Sequence, residues 1–400
     1  MHFPGFEPMD AQSHYDRFKR TALQSAKIWG YSVDVGSFPS SDKISSFSVI
    51  GNGHGWNTSN SVQIFDHSDL AAHMSRQPVF KQVATGFYSA ALVILQGGMA
   101  GYFRHAWRFG LFFLFPFVFM GIILAIYLTV IVLPWWMDLH ASSYLWSLPL
   151  AWALFQFALL PFSKRFYTLH LFADWQMAVK IGRLNDPFLN RWIEACADTM
   201  TTAIERDADE YVISSHSMGS ALAVQVLGLV LEKNPNALAG KRVVFVTLGG
   251  AILQSALLRP AKILRQRVGT IARSRQVTWL EVQSLTDVIH FYKSRVVALS
   301  GHPDAPQAEI ITIRVKHLLT QERYRRVKRD LLRVHRQYVL HADKRGSFDF
   351  TLLTVGPFPS GLTSDYSKRD FNAVSASGRS CDVTGGPVVR TRSERCGFGG

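Results

Sequence analysis

Two long stretches without a charged residue, at positions 109–133 and 144–163, constrain the fold of this chain more than any other feature of its sequence. About 20 apolar residues in a helix are needed to cross the ~30 Å hydrocarbon layer of a bilayer. The two stretches have 25 and 20 residues. Helices of soluble proteins are rarely apolar on all sides over such a length. The sequence therefore predicts a hairpin of two membrane-spanning helices.

Basic residues mark the outer flanks of this hairpin, whereas the connection at 134–143 contains Asp138 and no Lys or Arg. The four flanking residues are Arg104, Arg108, Lys164 and Arg165. Because cytoplasmic loops carry the excess of Lys and Arg, both outer flanks are predicted to lie in the cytoplasm. We expect a multi-pass protein of the inner (cytoplasmic) membrane whose two soluble parts both face the cytoplasm.

A serine lies at a predicted strand-to-helix turn in the second soluble part. The apolar run that begins at Tyr211 leads into Ser217, and an apolar helical pattern follows. Small residues, Ser215 and Gly219, stand two positions to either side. This layout is typical of a nucleophile elbow, the tight turn that holds a serine hydroxyl above the edge of an α/β sheet. Small flanking residues are needed because the backbone passes too close for a bulky side chain. The pattern predicts Ser217 as a catalytic nucleophile.

A serine of this kind needs a histidine base and an acidic residue that orients the base. In elbow-containing folds the acid follows the serine along the chain and precedes the histidine. Asp287 comes directly after a strand-like run at 277–283, so it is favoured as the acid over Glu281, which lies inside the run. The alternative role of Asp287 is to cap the helix that follows it. For the base, His317 directly follows a later strand-like run and His335 lies further on. Position alone leaves both histidines open.

The negative charge that develops on the reacting oxygen needs two backbone N–H donors, together called the oxyanion hole. The residue after the nucleophile supplies one donor, here Met218. A loop after an early strand supplies the other, and two loops qualify by position. One contains Gly5 and Phe6, after the short strand-like pair at the start of the chain, and the other is residues 53–56.

Strand-like and helical runs alternate through both soluble parts, which predicts an α/β fold with a mainly parallel sheet in three layers and an inserted transmembrane hairpin. Asp10 is expected to cap a helix that Gly30 ends. Residues 350–355 are expected to add a strand, and residues 87–103 to form an interfacial or re-entrant segment. The predicted sections are 1–86 and 166–359 for the two parts of the α/β domain, 87–165 for the membrane insertion, and 360–400 for a disordered tail.

The net charge of +14 indicates an anionic partner surface. The two apolar stretches make this partner the lipid bilayer rather than nucleic acid. The run at 322–336, with seven Lys or Arg, is either a basic amphipathic helix that lies on lipid headgroups or an ordinary solvent-exposed face.

Three cysteines make no disulfide framework, which indicates a reducing compartment, and the first residues do not resemble a signal peptide. Metal-ligand spacings and phosphate-binding glycine loops are missing, so we expect no metal and no cofactor.

Several short motifs occur in an order that resembles a known family. They are Phe3-Pro4-Gly5-Phe6-Glu7-Pro8, His14-Tyr15-Asp16-Arg17-Phe18, Ser215-His216-Ser217-Met218-Gly219-Ser220-Ala221, Asp287 with Phe291-Tyr292, and His335-Arg336-Gln337-Tyr338-Val339. Over about residues 1–359 the chain resembles a family of uncharacterised bacterial α/β-hydrolase-like membrane proteins. In related lipase-like proteins a histidine with a tyrosine three positions later is the base, which favours His335. The resemblance also places the first core strand before Gly5 and Phe6, which favours these residues for the oxyanion hole.

The resemblance and the motifs together lead to one functional expectation. We expect a membrane-anchored serine hydrolase of the esterase, lipase or thioesterase kind, which cleaves or transfers an acyl group through Ser217, Asp287 and His335. The expected partners are the bilayer and a lipid or acyl-ester substrate. The alternative is a membrane scaffold or binding protein that has the same fold and no catalytic activity.

Overall fold

The computed structural model of the chain describes residues 1–7, 9–38, 44–360, 365, 366, 369–374 and 380–382. Its strands are β1 His2–Phe3, β2 Ser32–Val35, β3 Ile44–Gly53, β4 Trp56–Phe65, β5 Tyr211–His216, β6 Val243–Leu248, β7 Val277–Ser284, β8 Glu309–Ile313, β9 Arg369–Val374 and β10 Ser380–Asp382. The first eight strands form one sheet in the order β2-β3-β4-β1-β5-β6-β7-β8. The last two form a separate antiparallel pair. The rest of the predicted disordered tail lies largely outside the described residues.

Six neighbouring strands of the large sheet run parallel, from β4 through β1 to β8. Strand β3 is antiparallel to both β2 and β4. The short strand β1 joins the two soluble parts, since His2 is level with Ile64 of β4 and with Ser214 of β5. The prediction of an α/β fold with a mainly parallel sheet is therefore confirmed. The strands of this one sheet come from both sides of the apolar hairpin.

The antiparallel pair β3–β4 corrects the interpretation of residues 53–56. These residues join Gly53 of β3 to Trp56 of β4 as a hairpin turn. Trp56 precedes Ile64 by eight residues on a strand that rises about 3.3 Å per residue, which puts the turn ~26 Å from the level of Ser214. The turn lies at the amino ends of the parallel strands, whereas Ser217 lies at their carboxyl ends. Residues 53–56 therefore do not form the oxyanion loop.

Helices cover both faces of the sheet. The α-helices are α1 Ala11–Trp29, α2 Ser68–Ser75, α3 Val79–Leu95, α4 Gly98–His105, α5 Trp107–Trp136, α6 Tyr144–Leu154, α7 Leu160–Arg165, α8 Thr168–Arg183, α9 Pro187–Glu205, α10 Gly219–Lys233, α11 Ile252–Ala256, α12 Lys262–Arg273, α13 Val296–Leu299, α14 Val315–Leu318, α15 Gln321–Val327, α16 Leu331–His335 and α17 Phe350–Val355. One core contains side chains of α8, α9, α10 and α12, and the other contains those of α1 and α17.

The central strands are apolar on both sides because both faces are covered. All six residues of β6 are buried. Val243 and Phe245 pack into the core under α10, whereas Val244, Val246 and Leu248 pack into the core under α1. This alternation follows from the period of two in a strand. The result is a helix–sheet–helix arrangement of three layers.

Helix α1 begins and ends where the sequence predicts. The side chain of Asp10 accepts a hydrogen bond from the N–H group of Ser13 at 2.8 Å, which satisfies a free donor of the first turn. Gly30 ends the helix with φ of +78°, a left-handed conformation that costs glycine little. Between these ends, Tyr15 and Phe18 are buried against the sheet.

Residues 350–355 form helix α17, so the predicted strand is wrong. Oδ1 of Asp349 accepts hydrogen bonds from the N–H groups of Thr351 and Leu352, at 2.9 and 3.1 Å, and caps the helix. Packing beside α1 overrides the β propensity of the Thr and Val residues.

The basic run at 322–336 is not one amphipathic helix. It divides into α15 and α16, because Asp330 caps the start of α16.

Among the described residues, two helices are long and apolar enough to cross a membrane, α5 (Trp107–Trp136) and the helical segment Ala141–Arg165, which includes α6 and α7. A further pair, Ser68–Met74 and Val79–Leu95, meets the same criterion only jointly, across a bend of 104°. Residues 87–103 belong to α3 and α4. Helix α3 packs on α8 so closely that a Cβ on Gly86 would lie 2.4 Å from the Phe172 ring.

Candidate active site

Ser217 lies in a two-residue turn between β5 and α10. Its φ is +53°, a left-handed conformation that is strained for any residue except glycine. The turn is held by the neighbouring strand, because the N–H group of Ser217 donates to the carbonyl of Leu248 and its own carbonyl accepts from Ala251, both at 3.1 Å. The predicted nucleophile is thus half-buried at the carboxyl edge of the parallel strands.

The small residues around Ser217 are required by close backbone approach. A Cβ on Gly219 would lie 2.1 Å from the carbonyl oxygen of Pro4, so only glycine fits there. Ser215 stands where glycine is usual. Its side chain is fully buried, and its hydroxyl group is satisfied by donating to the carbonyl of Val246 at 3.1 Å. The chain after β1 is therefore packed directly against the turn that contains Ser217.

Gly5 and Phe6 lie in the loop after β1, beside the predicted nucleophile. A Cβ on Gly5 would lie 3.5 Å from the Cβ of Ser217. The ring of Phe6 stacks between two imidazoles, 5.9 Å from His67 and 5.6 Å from His170. His67 also donates from Nε2 to the carbonyl of Gly5 at 3.1 Å. These contacts hold the loop at Ser217, and the role of the loop as oxyanion hole, together with Met218 at the start of α10, stays a prediction.

His335 and Asp287 form a buried pair at the same edge of the sheet. Nδ1 of His335 lies 2.7 Å from Oδ2 of Asp287. The imidazole lies beside the ring of His216, the residue before the predicted nucleophile, with ring centres 4.7 Å apart. Nε2 of His335 is buried and has no hydrogen-bond partner among the described residues, Ser217 included. Since Nδ1 donates to the carboxylate, Nε2 is the nitrogen left to accept a proton.

Four groups surround the carboxylate of Asp287. Besides His335, Oδ2 accepts from the hydroxyl of Tyr338 at 3.1 Å and lies 3.2 Å from Nδ1 of His290. Oδ1 accepts from the N–H group of Ile289 at 2.9 Å, so Asp287 also has the local capping role considered for it. Burial alone would raise the pKa of Asp287, but the adjacent His335 and His290 imidazoles lower the pKa well below its usual value. Asp287 is therefore an anion.

The two rival residues from the sequence lie outside this arrangement. Glu281 is buried inside β7, where its Oε1 accepts from Nε2 of Gln283 at 3.0 Å. Burial raises the pKa of Glu281 to about 7, which is the behaviour of a carboxyl group without a cationic partner. His317 is exposed on α14. Of the two candidate bases, the structure pairs only His335 with Asp287.

A buried ion cluster, which sequence reasoning missed, connects the loop after β1 to the His335 segment. Nη1 of Arg17 lies 2.8 Å from Oε2 of Glu7, and Nε of Arg336 lies 3.5 Å from Oε1 of the same carboxylate. Burial raises the pKa of Glu7, but Arg17 and Arg336 reverse this and lower the pKa below its usual value. The pKa of His14 falls to about 3 because of burial and Arg17, so His14 is neutral and accepts from Nη2 of Arg17 at 2.9 Å. The only sequence signal was the position of these residues inside the quoted motifs.

Helix α8 adds an acidic side chain near the pair. Asp174 accepts a hydrogen bond from Nε2 of Gln254 at 2.7 Å. Burial raises the pKa of Asp174 to about 6, with the Gln254 hydrogen bond and the electrostatic influence of the His335 imidazole acting in the opposite direction. Within the part of the chain that the structure describes, no group of three or more His, Cys, Asp or Glu residues is arranged to hold a metal ion. The chemistry available here is that of a hydroxyl, an imidazole and a carboxylate.

Comparisons with protein-family models, with curated proteins and with solved structures give no match to this chain.

Proposed function

We propose that this chain is a membrane-anchored serine hydrolase of the α/β-hydrolase type, which cleaves or transfers an acyl group of an ester or thioester. The observation that carries the proposal is the buried Asp287–His335 pair, whose imidazole packs beside His216, while Ser217, the next residue, lies in a strained turn. The three side chains come from the carboxyl ends of β5 and β7 and from a segment after β8. Ser, Asp and His therefore follow one another in the order usual for this fold.

In the proposed reaction the hydroxyl of Ser217 attacks the acyl carbonyl while Nε2 of His335 takes the hydroxyl proton. Asp287 keeps Nδ1 of His335 protonated and stabilises the imidazolium. The N–H groups of Met218 and of Gly5 or Phe6 stabilise the oxyanion. The bond to the leaving group then breaks, and the alcohol or thiol receives the proton from His335. Water, or an acceptor alcohol in a transfer, repeats the attack on the acylated serine and restores the hydroxyl.

The strand pairing supports the proposed topology. The soluble segments before and after the apolar hairpin share one sheet, because β1 pairs with β4 on one side and β5 on the other. Both segments must therefore lie on the same side of a bilayer, which requires an even number of crossings. Helix α5 and the helical segment Ala141–Arg165 supply two such crossings. Exposed basic residues at their outer ends favour the cytoplasmic side: Arg104, Arg108, Lys164 and Arg165.

One observation favours the inactive scaffold, since Nε2 of His335 makes no hydrogen bond to Ser217. Catalytic hydrogen bonds of this kind are often long or poorly aligned until substrate binds. Reaction of the full chain, in detergent micelles, with a fluorophosphonate probe distinguishes the hydrolase from the scaffold. We expect labelling of Ser217, located by peptide mass spectrometry, and its loss in Ser217→Ala. The exposed Ser59 on β4 is the matched control, and Ser59→Ala should label like wild type. A folded wild-type protein that reacts with no such probe would establish the scaffold.

A further inference from the structure

The loop that contains Asp287 is attached to the start of helix α5. Nη1 of Arg108 donates to the carbonyl of Leu285 at 3.5 Å, and the hydroxyl of Ser294 donates to the carbonyl of His105 at 3.3 Å. The buried ring of Phe291 packs against Phe109 with ring centres 4.4 Å apart. The acid of the proposed site is thus held by the first turn of the first apolar helix.

The loop with Gly5 and Phe6 is attached to helix α8, which follows the second apolar helix. Phe6 stacks on His170, which lies in the first turn of α8 and only five residues after Arg165. Between the two helices, residues 166–167 form a turn in which Tyr167 has a φ of +57°. Two loops of the proposed site therefore contact helices of the apolar hairpin region, one at the start of the first span and one in the helix that follows the second span.

The segment after β6 makes the same kind of contact with α4. A Cβ on Gly98 would lie 2.6 Å from the Leu258 side chain, and one on Gly101 would lie 3.2 Å from Leu257. The N–H group of Arg259 donates to the carbonyl of Gln96 at 3.0 Å. The segments that follow β6 and β7 at the carboxyl ends of the strands, where Ser217 also lies, therefore contact α4 and the start of α5.

The exposed side chains at this end combine apolar and cationic groups. The apolar ones are Trp107, Phe166, Tyr167 and Leu285, with 58, 40, 40 and 39 % of their surface exposed. The cationic ones are Arg104, Arg108, Lys164, Arg165 and Lys293, all exposed. Aromatic rings and basic residues with long stems are the side chains that sit at headgroup level in a leaflet with anionic lipids.

On the basis of the function proposed above, we infer that the substrate is an acyl ester of an anionic lipid in the cytoplasmic leaflet. This lipid reaches Ser217 by moving along the leaflet into the carboxyl edge of the sheet. Its acyl ester lies at headgroup depth, the depth at which the exposed aromatic and basic side chains at the ends of the spans are expected. The exposed cations bind the anionic headgroup, and the apolar rim borders the acyl chains.

The test uses the full chain reconstituted in vesicles of phosphatidylglycerol or of phosphatidylcholine with the same acyl chains, with fatty-acid release as the readout. Hydrolysis of p-nitrophenyl butyrate in the same samples measures turnover of a water-soluble ester. We expect phosphatidylglycerol to be cleaved at least about tenfold faster than phosphatidylcholine. The rate should also fall when the lipid is diluted within the bilayer by a non-hydrolysable ether analogue at constant bulk concentration.

Two double variants test the headgroup contact. Lys164→Gln with Arg165→Gln should reduce the preference for phosphatidylglycerol by about tenfold. Arg20→Gln with Lys27→Gln removes two exposed cations from α1, on the other face of the sheet, and should leave the preference unchanged. Equal rates on the two lipids, or cleavage of p-nitrophenyl butyrate with no lipid cleaved, would overturn the inference and leave the proposed hydrolase standing. Failure of every ester, together with no probe labelling of Ser217, would instead remove the proposed function.

Discussion

Nδ1 of His335 lies 2.7 Å from Oδ2 of Asp287, although the two residues are 48 positions apart and both side chains are almost fully buried. A buried carboxylate costs free energy unless it is paired. Asp287 meets this requirement through His335, Tyr338 and His290. The pair leaves one imidazole nitrogen of His335 without a partner among the described residues, on a ring that packs beside His216, the residue before Ser217.

The first prediction follows from this pair. His335→Ala should lower ester hydrolysis by a factor on the order of 10⁴ to 10⁶, because Ser217 loses its proton acceptor. His317→Ala is the matched control and should keep activity within about twofold, since His317 is exposed on α14. Initial rates on p-nitrophenyl butyrate measure both, with circular dichroism to verify folding. Loss of activity in His317→Ala, with His335→Ala active, would reverse the assignment of the base.

Gly219 is predicted to tolerate no side chain. In Gly219→Ala the new methyl group meets the backbone oxygens of Pro4 and Phe3, so the loop after β1 must move away from Ser217. We expect a destabilisation of about 1–3 kcal/mol and a loss of probe labelling. Gly121→Ala in α5 is the control, because nothing lies within 4 Å of its Cβ position. Thermal unfolding in micelles gives the comparison, and equal melting temperatures for the two variants would contradict the prediction.

Glu281 is predicted to make stability depend on pH. Burial raises its pKa to about 7 in the folded chain, whereas the pKa of a glutamate in the unfolded chain is near 4.5. Between these values the folded state keeps a proton that the unfolded state has lost, so stability falls as pH rises through this window and changes little above it. Glu281→Gln removes this pH dependence because glutamine does not titrate. The free energy of unfolding of Glu281→Gln relative to wild type should therefore increase by on the order of 3 kcal/mol between pH 4.5 and 7.

Melting temperatures at pH 5 and pH 8 measure this difference for Glu281→Gln. The control is Glu309→Gln on the neighbouring strand β8, where the carboxyl group is exposed. That variant should follow wild type at both pH values. A Glu281→Gln advantage that is the same at pH 5 and pH 8 would show that this carboxyl group titrates normally in the folded chain.

The topology is predicted from the flanking charges and the shared sheet. A reporter that is active only outside the cytoplasm should be active when fused at Ser142, between the two spans, and silent when fused after Phe358. The pairing of His2 with Ser214 requires the same side for both soluble parts. The reverse pattern of reporter activity would overturn the orientation, and activity at both positions would contradict the hairpin itself.

Features that depend on neighbouring residues were predictable from the sequence. The cap at Asp10 and the stop at Gly30 are set by hydrogen bonds and backbone conformation within one turn of helix, and the structure has them where they were expected. The lengths of the two apolar helices follow from composition alone. These properties arise within a few residues of chain, so one sequence carries enough information to state them.

Features that depend on distant contacts were decided by the tertiary structure. Residues 350–355 became a helix because Asp349 caps it and α1 provides a surface, and residues 53–56 became a hairpin turn because β3 and β4 pair. Spacing left His317 and His335 equivalent, and the packing around Asp287 separates them. The free energy of such contacts comes from burial and pairing between segments far apart in the chain, which local propensity and spacing do not encode.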